Sequence, residues 1–151
     1  MKKKNPMIVV AAVIERDGRI LIAKRKPGWH EAGKWEFPGG TLEEGETPEQ
    51  CLKRELQEEL AVVAEIGHPF CTSEYSYTPD WTIRLLVYQT IIISGVPTLT
   101  DHEELRWVKA IDLVNYDFPE ADRPVVEKLI TLNECSKNHG AERDGKSGPS
   151  E

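Results

Sequence analysis

The chain contains 151 residues and carries a formal net charge of −7, from 19 basic and 26 acidic side chains. This length is typical of one domain with a sizeable buried core, and the acidic balance argues against nonspecific binding to a nucleic acid polymer. Three cysteines, Cys51, Cys71 and Cys135, occur at unrelated spacings, which gives neither a disulfide framework nor a zinc motif.

The first apolar run of the chain predicts a strand rather than an export signal. It spans eight residues, Met7 to Ile14, and passes directly into the charged segment 15–17 without a small-residue cleavage site. No segment approaches the length of a membrane span. We therefore expect a cytoplasmic protein without a membrane partner.

The dipeptide Asp17-Gly18 predicts a tight hairpin turn between strands at 8–15 and 19–26. A polar loop follows at 26–34. The later apolar and alternating segments predict further strands and one short helical turn. The strands are expected at 35–37, 62–77 (broken near 67–69), 81–93 and 105–109, and the helical turn at 111–114.

Two helices complete the predicted elements. Thr47 and Gln50 form a capping box, and Pro48 takes the first helical position, so the first helix is predicted over 48–60. One side of this helix carries leucines and is expected to face the core. The second helix is predicted from Pro119 or Ala121 to Leu132.

Strands interleaved with two helices predict the α/β class, as an α/β/α sandwich around a mixed β-sheet. We expect one domain over residues 1–135. Residues 136–151 consist mainly of glycine, serine and charged residues, a composition that predicts a disordered tail.

Three glutamates of the first helix are spaced so that they project from one arc: Glu55, Glu58 and Glu59. Carboxylates crowded in this way repel one another unless a cation lies between them. Hard oxygen-liganded ions such as Mg²⁺ or Mn²⁺ suit this setting. The alternative is a solvated acidic face, but the glycine pair at 39–40, which predicts a turn, and the neighbouring Arg54 favour a metal site.

The segment from residue 40 to residue 62 resembles the Nudix box, a pattern of fixed glycine, glutamate, arginine and aliphatic positions. One position departs from the pattern, because Ala61 stands where the box has glycine. This is a helix-end position, so we expect a local cost in stability rather than loss of activity. The matching residues are Gly40, Glu46, Arg54, Glu55, Leu56, Glu58, Glu59 and Val62.

The resemblance extends over roughly residues 7–133. The segments WEFPGG (35–40) and DFPEADRPVVEKL (117–129) are similar to the MutT branch of the family, including its cytidine-triphosphate-type members. This resemblance implies the α/β/α sandwich and hydrolysis of a nucleoside triphosphate to monophosphate and pyrophosphate. The expected substrates are damaged or modified nucleotides such as 8-oxo-dGTP. The alternatives are (d)CTP or a modified-cytosine triphosphate, and a Nudix module that senses a nucleotide without cleaving it.

The resemblance also implies roles for the residues of the box. The metal ligands are expected to be the Gly39 carbonyl, Glu55, Glu58 and Glu59, with Mg²⁺ as the cofactor and Mn²⁺ as a possible substitute. Glu55, Glu58 and Arg54 are counted as catalytic, and Arg54 is expected to orient a glutamate of the cluster. The alternative for Arg54 is an ordinary surface partner of Glu58.

A further carboxylate from outside the box is expected to complete the site. Asp101 most resembles the glutamate that the family places there, although aspartate is one methylene shorter. Glu103 or Glu104 are the alternatives if the loop shifts, and a solvated acidic loop is the remaining one.

The resemblance places the substrate contacts on five residues, each of which has an alternative as an exposed or purely structural side chain. Glu36 and Phe37 are expected to contribute mainly backbone groups. Of the aromatic residues 35, 75, 77 and 81, at most one or two should stack on a base. The five predicted substrate residues are Arg25, His30, Glu36, Phe37 and Asp122.

Asp122 bears most directly on the choice of base. An ionised carboxylate accepts hydrogen bonds and suits the amino group of cytosine, whereas a buried, protonated aspartate also donates and could read 8-oxoguanine. The alternative is a cap for the second helix. Whether the protein is a monomer or a homodimer stays open.

Overall fold

The computed structural model describes residues 5–134. The predicted tail at 136–151 and both ends of the predicted domain lie outside these residues. The strands are β1 (Met7–Arg16), β2 (Arg19–Lys24), β3 (Trp35–Glu36), β4 (Gly39–Thr41), β5 (Val63–Thr78), β6 (Trp81–Ser94) and β7 (Glu104–Lys109). The helices are α1 (Pro48–Leu60), α2 (residues 123–134) and two 3₁₀ turns, Ala110–Asn115 and Glu120–Asp122.

Strand β1 is the centre of the sheet. It pairs in parallel with β6, from Met7 opposite Ile83 to Ile14 opposite Thr90, and antiparallel with β4 on its other edge. Its last residues pair with the start of β2, which in turn pairs with β3 and β7. The sheet is therefore mixed, as predicted.

Alternate residues of β1 face two separate cores. Val10, Ala12 and Ile14 pack with the apolar face of α1, whereas Ala11 and Val13 pack with α2 and the strands beside it. Alternation of this kind is what a strand buried on both faces requires. The result is a helix on each side of a mixed sheet, which confirms the predicted α/β/α sandwich.

Two predicted details of the strands were wrong. The break expected near 67–69 does not occur, because β5 continues through this segment with shifts in its pairing to β6 between Ile66 and Pro69. A bulge of this kind absorbs Gly67 and Pro69 without ending the strand. The glycines at 39 and 40, expected as a turn, form the short strand β4 beside β1.

The start of α1 has the predicted capping box and N-terminal proline. Thr47 is the N-cap, its hydroxyl accepts from the Gln50 N–H, and the Gln50 side chain accepts from the Thr47 N–H. Pro48 is the first helical residue, and Leu52, Leu56 and Leu60 are fully buried. Within the described residues, no helix has the length and apolar character needed to cross a membrane.

The end of α1 shows what the departure from the box pattern costs. Ala61 is the C-cap and has φ 60° and ψ 38°, a left-handed conformation that disfavours a side chain with a Cβ. Glycine adopts this conformation without the steric penalty.

We therefore expect Ala61→Gly to raise the free energy of unfolding by about 0.5–1 kcal/mol, after the greater freedom of glycine in the unfolded chain is subtracted. Urea denaturation measures the change. Ala32→Gly is the matched control, because Ala32 is also exposed but has no positive φ; it should be neutral or destabilising. Equal destabilisation by both changes would contradict the left-handed cost.

Candidate active site

The two glycines of β4 bring its backbone against two neighbours. A Cβ added to Gly39 would lie 1.9 Å from the Val10 carbonyl oxygen, and one added to Gly40 would lie 2.2 Å from Cδ of Glu55. Real Cβ atoms do not approach other atoms so closely, so a side chain at position 39 would clash with the backbone of β1, and one at position 40 would displace the Glu55 carboxylate. The glycine pair therefore sets the backbone of β4 directly beside β1 and a carboxylate of α1.

Arg54 lies at the centre of a group of glutamates. Its guanidinium donates through two nitrogens to Glu46, at 2.8 and 3.1 Å, and through Nη1 to Glu55 at 3.0 Å and Glu58 at 3.3 Å. The hydrogen bonds from Arg54 lower the pKa of Glu46 to about 2. The pKa of Arg54 itself is raised, mainly by the same contact. The arrangement fits a residue that orients the carboxylates of α1 rather than a simple partner of Glu58.

Glu59 is the most deeply buried carboxylate of this face. Burial is the main reason that its pKa is raised to about 9; the nearby carboxylates of Glu36, Glu55 and Asp101 contribute to this shift, and the Gly39 N–H opposes it. Within the described residues its buried Oε1 has no hydrogen-bond partner. A buried carboxylate without a partner is costly, which makes this oxygen a ready ligand for a cation.

The donor set of α1 fits a hard divalent cation. Glu59 supplies an unpartnered oxygen, and the Glu55 carboxylate, whose pKa burial also raises, fills the space that a Cβ on Gly40 would take. Oxygen ligands of this type suit Mg²⁺ and Mn²⁺. Glu58 lies farther out, with 61% of its side chain exposed and turned to Arg54. No three metal-binding side chains within residues 5–134 are already close enough to enclose an ion.

Asp101 lies in the loop that approaches the end of α1. It is exposed, yet close enough to Glu59 to contribute to the raised pKa of that residue. The Thr100 hydroxyl ties the loop to α1 by donating to the Glu59 carbonyl at 2.5 Å. The alternative Glu104 forms an ion pair with Arg106 instead. The placement therefore favours Asp101 over Glu104 as the further acid.

A cavity of about 280 Å³ opens beside Glu59. All five predicted substrate residues line it: Arg25, His30, Glu36, Phe37 and Asp122. Gly39 and Glu59 also line it, so the nucleotide-binding and metal-binding predictions converge on one space. The predicted site residues that do not line the cavity are Arg54, Glu55, Glu58 and Asp101.

Contacts within the cavity wall show which side chains are already engaged with other residues of the protein. The Arg25 guanidinium donates to Glu36 Oε1 at 2.6 Å and to the His30 carbonyl at 2.6 Å, which fixes the loop. The Phe37 ring is buried and stacks on Phe118 with centroids 5.2 Å apart. The Phe37 ring is therefore part of the core, which is consistent with a contact to the ligand through its backbone.

Aromatic rings form another part of the wall. His30 packs against Tyr77 and Trp81, with ring centroids 5.0 and 4.6 Å apart, and all three line the cavity. Trp35 instead lies in the core against Tyr116, and Tyr75 does not line the cavity. The expectation that only one or two of the four aromatic residues reach the ligand agrees with this placement.

Asp122 lies within the cavity wall. Burial is the main reason that its pKa is raised to about 8; the Glu36 carboxylate contributes to this shift, and the Phe37 N–H and Arg25 oppose it. Within the described chain no hydrogen bond joins its carboxylate to the first turn of α2. The capping alternative therefore gains no support, and the raised pKa favours the protonated form of Asp122.

The raised pKa of Asp122 predicts a pH-dependent stability. An acid whose pKa is higher in the folded state binds its proton more tightly there, so the stability that it contributes is lost as the pH rises from about 4 to about 8. Asparagine cannot ionise. The free energy of unfolding of Asp122→Asn, minus that of the wild type, should therefore grow by a few kcal/mol, as an order of magnitude, between pH 5 and pH 9.

Urea denaturation at pH steps across this range measures the difference. Glu59 is present in both proteins, so its own titration largely cancels in the subtraction. Parallel stability curves for the two proteins would show that Asp122 does not titrate as a buried acid.

Two residues of this region were not predicted from the sequence. Glu31 lines the cavity and pairs with Lys34 at 3.1 Å. His102 is buried beside Glu36, with its Nε2 2.6 Å from Glu36 Oε2. His102 had no local signal, because its partner Glu36 lies 66 positions away in the chain. Nothing distinguished Glu31 from the other charged residues of the loop at 26–34, because its position in the cavity wall depends on the fold.

Comparison with known proteins agrees with this architecture. The family model described as "NUDIX domain" matches residues 4–129. The chain is 36% identical over 124 residues to the CTP pyrophosphohydrolase of Escherichia coli (strain K12), covering 82% of this chain and 91% of that protein. It is also 36% identical over 129 residues to the 8-oxo-dGTP diphosphatase of the same strain, covering 85% of this chain and 99% of that protein.

Solved structures show the same likeness. The solution structure of the E. coli ORF135 protein has a TM-score of 0.74 and 34% identity, and the alignment covers 84% of this chain and 90% of that one. The crystal structure of a MutT NUDIX hydrolase from Burkholderia pseudomallei has a TM-score of 0.74 and 33% identity, covering 82% and 98%.

The fold and these matches define an enzyme that hydrolyses phosphorus anhydrides. The chain belongs to the Nudix hydrolase family and resembles its MutT-like members. Members of this family generally need divalent metal ions.

Proposed function

We propose that this chain hydrolyses nucleoside triphosphates to nucleoside monophosphate and pyrophosphate, with Mg²⁺ as its cofactor and Mn²⁺ as a substitute. The preferred substrates are damaged or modified nucleotides such as 8-oxo-dGTP. The observation that carries the proposal is that Glu59, which offers an unpartnered buried oxygen, and Asp122, which can contact a base, line the same cavity. One bound nucleotide can therefore meet both.

The chemistry follows from the charges at each end of the cavity. A bound divalent cation would neutralise phosphate charge and lower the pKa of a water molecule. Glu55, Glu58, Glu59 and the Gly39 carbonyl would hold it. Arg54 keeps Glu55 oriented, because its Nη1 donates to that carboxylate at 3.0 Å. Asp101 supplies a further carboxylate beside Glu59.

The base end of the cavity supports a choice among nucleotides. Protonated Asp122 can donate one hydrogen bond and accept another, as an amide does. The N7–H and O6 of 8-oxoguanine offer one donor and one acceptor that match this pair. Unmodified guanine presents acceptors at both N7 and O6, so one of them would remain unpaired against the acid.

A second candidate is hydrolysis of CTP, dCTP or a modified-cytosine triphosphate. The N4 amino group and N3 of cytosine also offer one donor and one acceptor, and the E. coli relative of 36% identity is named a CTP pyrophosphohydrolase. A sensor that binds without cleaving is disfavoured, because the chain retains Arg54, Glu55, Glu58 and Glu59 together.

The test is a pyrophosphate-release screen with Mg²⁺ or Mn²⁺. It compares kcat/KM for normal and damaged nucleoside triphosphates, together with ADP-ribose and diadenosine polyphosphates. A strong preference for 8-oxo-dGTP supports the first proposal, and a preference for cytosine nucleotides supports the second. Tight nucleotide binding without turnover would overturn both and favour the sensor. We also propose that the protein is cytoplasmic, that it is a monomer or a homodimer, and that it does not bind a nucleic acid polymer.

A further inference from the structure

We propose that His102 is a positioning residue for the reaction, a role that rests on the proposed function. Through a hydrogen bond to Glu36 it holds Arg25 in the nucleotide cavity at a fixed place relative to the loop that carries Asp101. The loop of residues 100–103 and the nucleotide-binding wall would then act as one rigid unit.

The burial of His102 is the first observation. Its two chain neighbours, Asp101 and Glu103, are exposed, whereas only 1% of the His102 side chain is accessible. Its Nε2 lies 2.6 Å from Glu36 Oε2, and the edge of its ring meets Trp29 at a centroid distance of 5.3 Å. Burying an imidazole is costly unless its nitrogens are bonded, so the contact with Glu36 has a clear energetic reason.

The tautomer follows from the partners of the ring. Within residues 5–134 the buried Nδ1 of His102 has no hydrogen-bond partner. A neutral imidazole carries its single proton on one nitrogen, so the proton belongs on Nε2, where it is donated to Glu36. His102 therefore supplies a directed hydrogen bond to this carboxylate.

Glu36 passes this constraint to the nucleotide side. Its other oxygen, Oε1, accepts from Arg25 Nη1 at 2.6 Å, and Arg25 Nε donates to the His30 carbonyl at 2.6 Å. The carboxylate of Glu36 is therefore shared between His102 and Arg25, and its orientation depends on both. A continuous series of hydrogen bonds joins the loop at 100–103 to the residues that line the cavity.

The loop is anchored on both sides of His102. The Thr100 hydroxyl donates to the Glu59 carbonyl at 2.5 Å, and the Glu103 N–H donates to the Lys24 carbonyl at 2.9 Å. These contacts tie the loop to backbone carbonyls of α1 and β2, and neither involves the side chain of a predicted nucleotide-binding residue. His102 is the member of this loop that connects Asp101 to the nucleotide-binding residues.

The test compares His102→Leu with His102→Gln. Leucine keeps the bulk but has no donor, so we expect KM for the nucleotide to rise about tenfold and kcat to fall by a similar factor. The glutamine amide can place a donor near Nε2, so we expect KM to stay within about threefold of the wild type. His68→Leu is the control for the substitution, because His68 is exposed and does not line this cavity. Equal losses in both His102 variants would overturn the proposal in favour of packing alone.

A double-mutant cycle with Glu36→Gln makes the test specific. If His102 acts through Glu36, adding His102→Leu to Glu36→Gln should cost much less than the tenfold change expected in the wild type. Independent, multiplicative effects on KM would contradict the proposal. Thermal unfolding of each variant checks that the fold is retained.

The proposed function can fail without ending this test. If the wild type and His68→Leu release no pyrophosphate from any triphosphate, then the proposed function is wrong. The role of His102 is then measured by fluorescence titration with CTP and 8-oxo-dGTP, using Trp29 and Trp81, which line the cavity. Affinity that is about tenfold weaker in His102→Leu but nearly unchanged in His102→Gln supports the proposal, and unchanged affinity in both overturns it.

Discussion

Glu59→Gln is expected to lower kcat about a thousandfold or more while the protein remains folded. Glutamine has the shape of the acid but a much weaker oxygen for a hard cation. In the folded chain Glu59 is partly buried, its buried Oε1 has no partner within the described residues, and the carboxylates of Glu36, Glu55 and Asp101 lie near it. Holding an ionised Glu59 at this position therefore costs free energy, which a bound cation would offset.

The same change has an opposite effect on stability without metal. Without metal the raised pKa favours a neutral Glu59, and a neutral amide never has to be ionised beside Glu36 and Glu55. Glu59→Gln should therefore unfold at the same temperature as the wild type, or at a higher one, in the presence of EDTA. Adding Mn²⁺ or Mg²⁺ should then stabilise the wild type by linkage but have little effect on the variant. Activity and metal-dependent stability are thus expected to fall together.

Glu127→Gln on the exposed side of α2 is the matched control. It should leave turnover and the metal-dependent shift in unfolding temperature unchanged. Wild-type turnover in Glu59→Gln would remove the proposed metal site from α1. The amide has nearly the same size as the acid, so the variant should fold. If it lost turnover because it was unfolded, Glu59 would have a structural role.

Local chemistry explains why α1 and its glutamates could be predicted from the sequence. The capping box of Thr47 and Gln50 and the proline at position 48 act over three or four residues, so the start of the helix is encoded within one segment. The helical period then places the acidic and apolar residues on separate arcs. The structure agrees with both features.

Long-range pairing explains what the sequence could not predict. Whether Gly39 and Gly40 form a turn or a strand depends on the approach of Val10, about thirty residues earlier in the chain. The continuity of β5 through Gly67 and Pro69 likewise depends on how β6 accommodates the bulge. Neither partner is visible in the local segment.

Long-range contacts also explain which properties of the site residues could not be predicted from the sequence. The sequence identified Asp122 as a residue that could contact a base, but its protonation depends on burial and on Glu36, which only the fold reveals. His102 stands directly after the predicted Asp101, yet its contact with Glu36 joins residues 66 positions apart. Composition and spacing carry no information about such a pair.

Arg54→Gln is the second change with a large expected effect, and it should act on kcat rather than on KM. Arg54 contacts Glu46, Glu55 and Glu58 but does not line the nucleotide cavity. Its loss would let Glu55 leave its orientation and would leave several carboxylates without a counter-charge. Removing a residue that orients metal ligands typically costs about 10–100-fold in metal affinity or activity, so we expect kcat to fall about 100-fold.

Arg54→Lys distinguishes orientation from charge. Lysine keeps the positive charge but cannot span both oxygens of Glu46 while also reaching Glu55, so kcat should still fall about tenfold. Arg84→Gln is the control, because Arg84 is exposed and pairs with Glu74 on the sheet. Steady-state kinetics and Mn²⁺ titration measure both effects.

If Arg54→Gln changed kcat less than about twofold, Arg54 would be only a surface partner of Glu58. An ion pair of this helical spacing contributes just a few tenths of a kcal/mol. A rise in KM at constant kcat would instead place Arg54 on the substrate, against the geometry of the cavity.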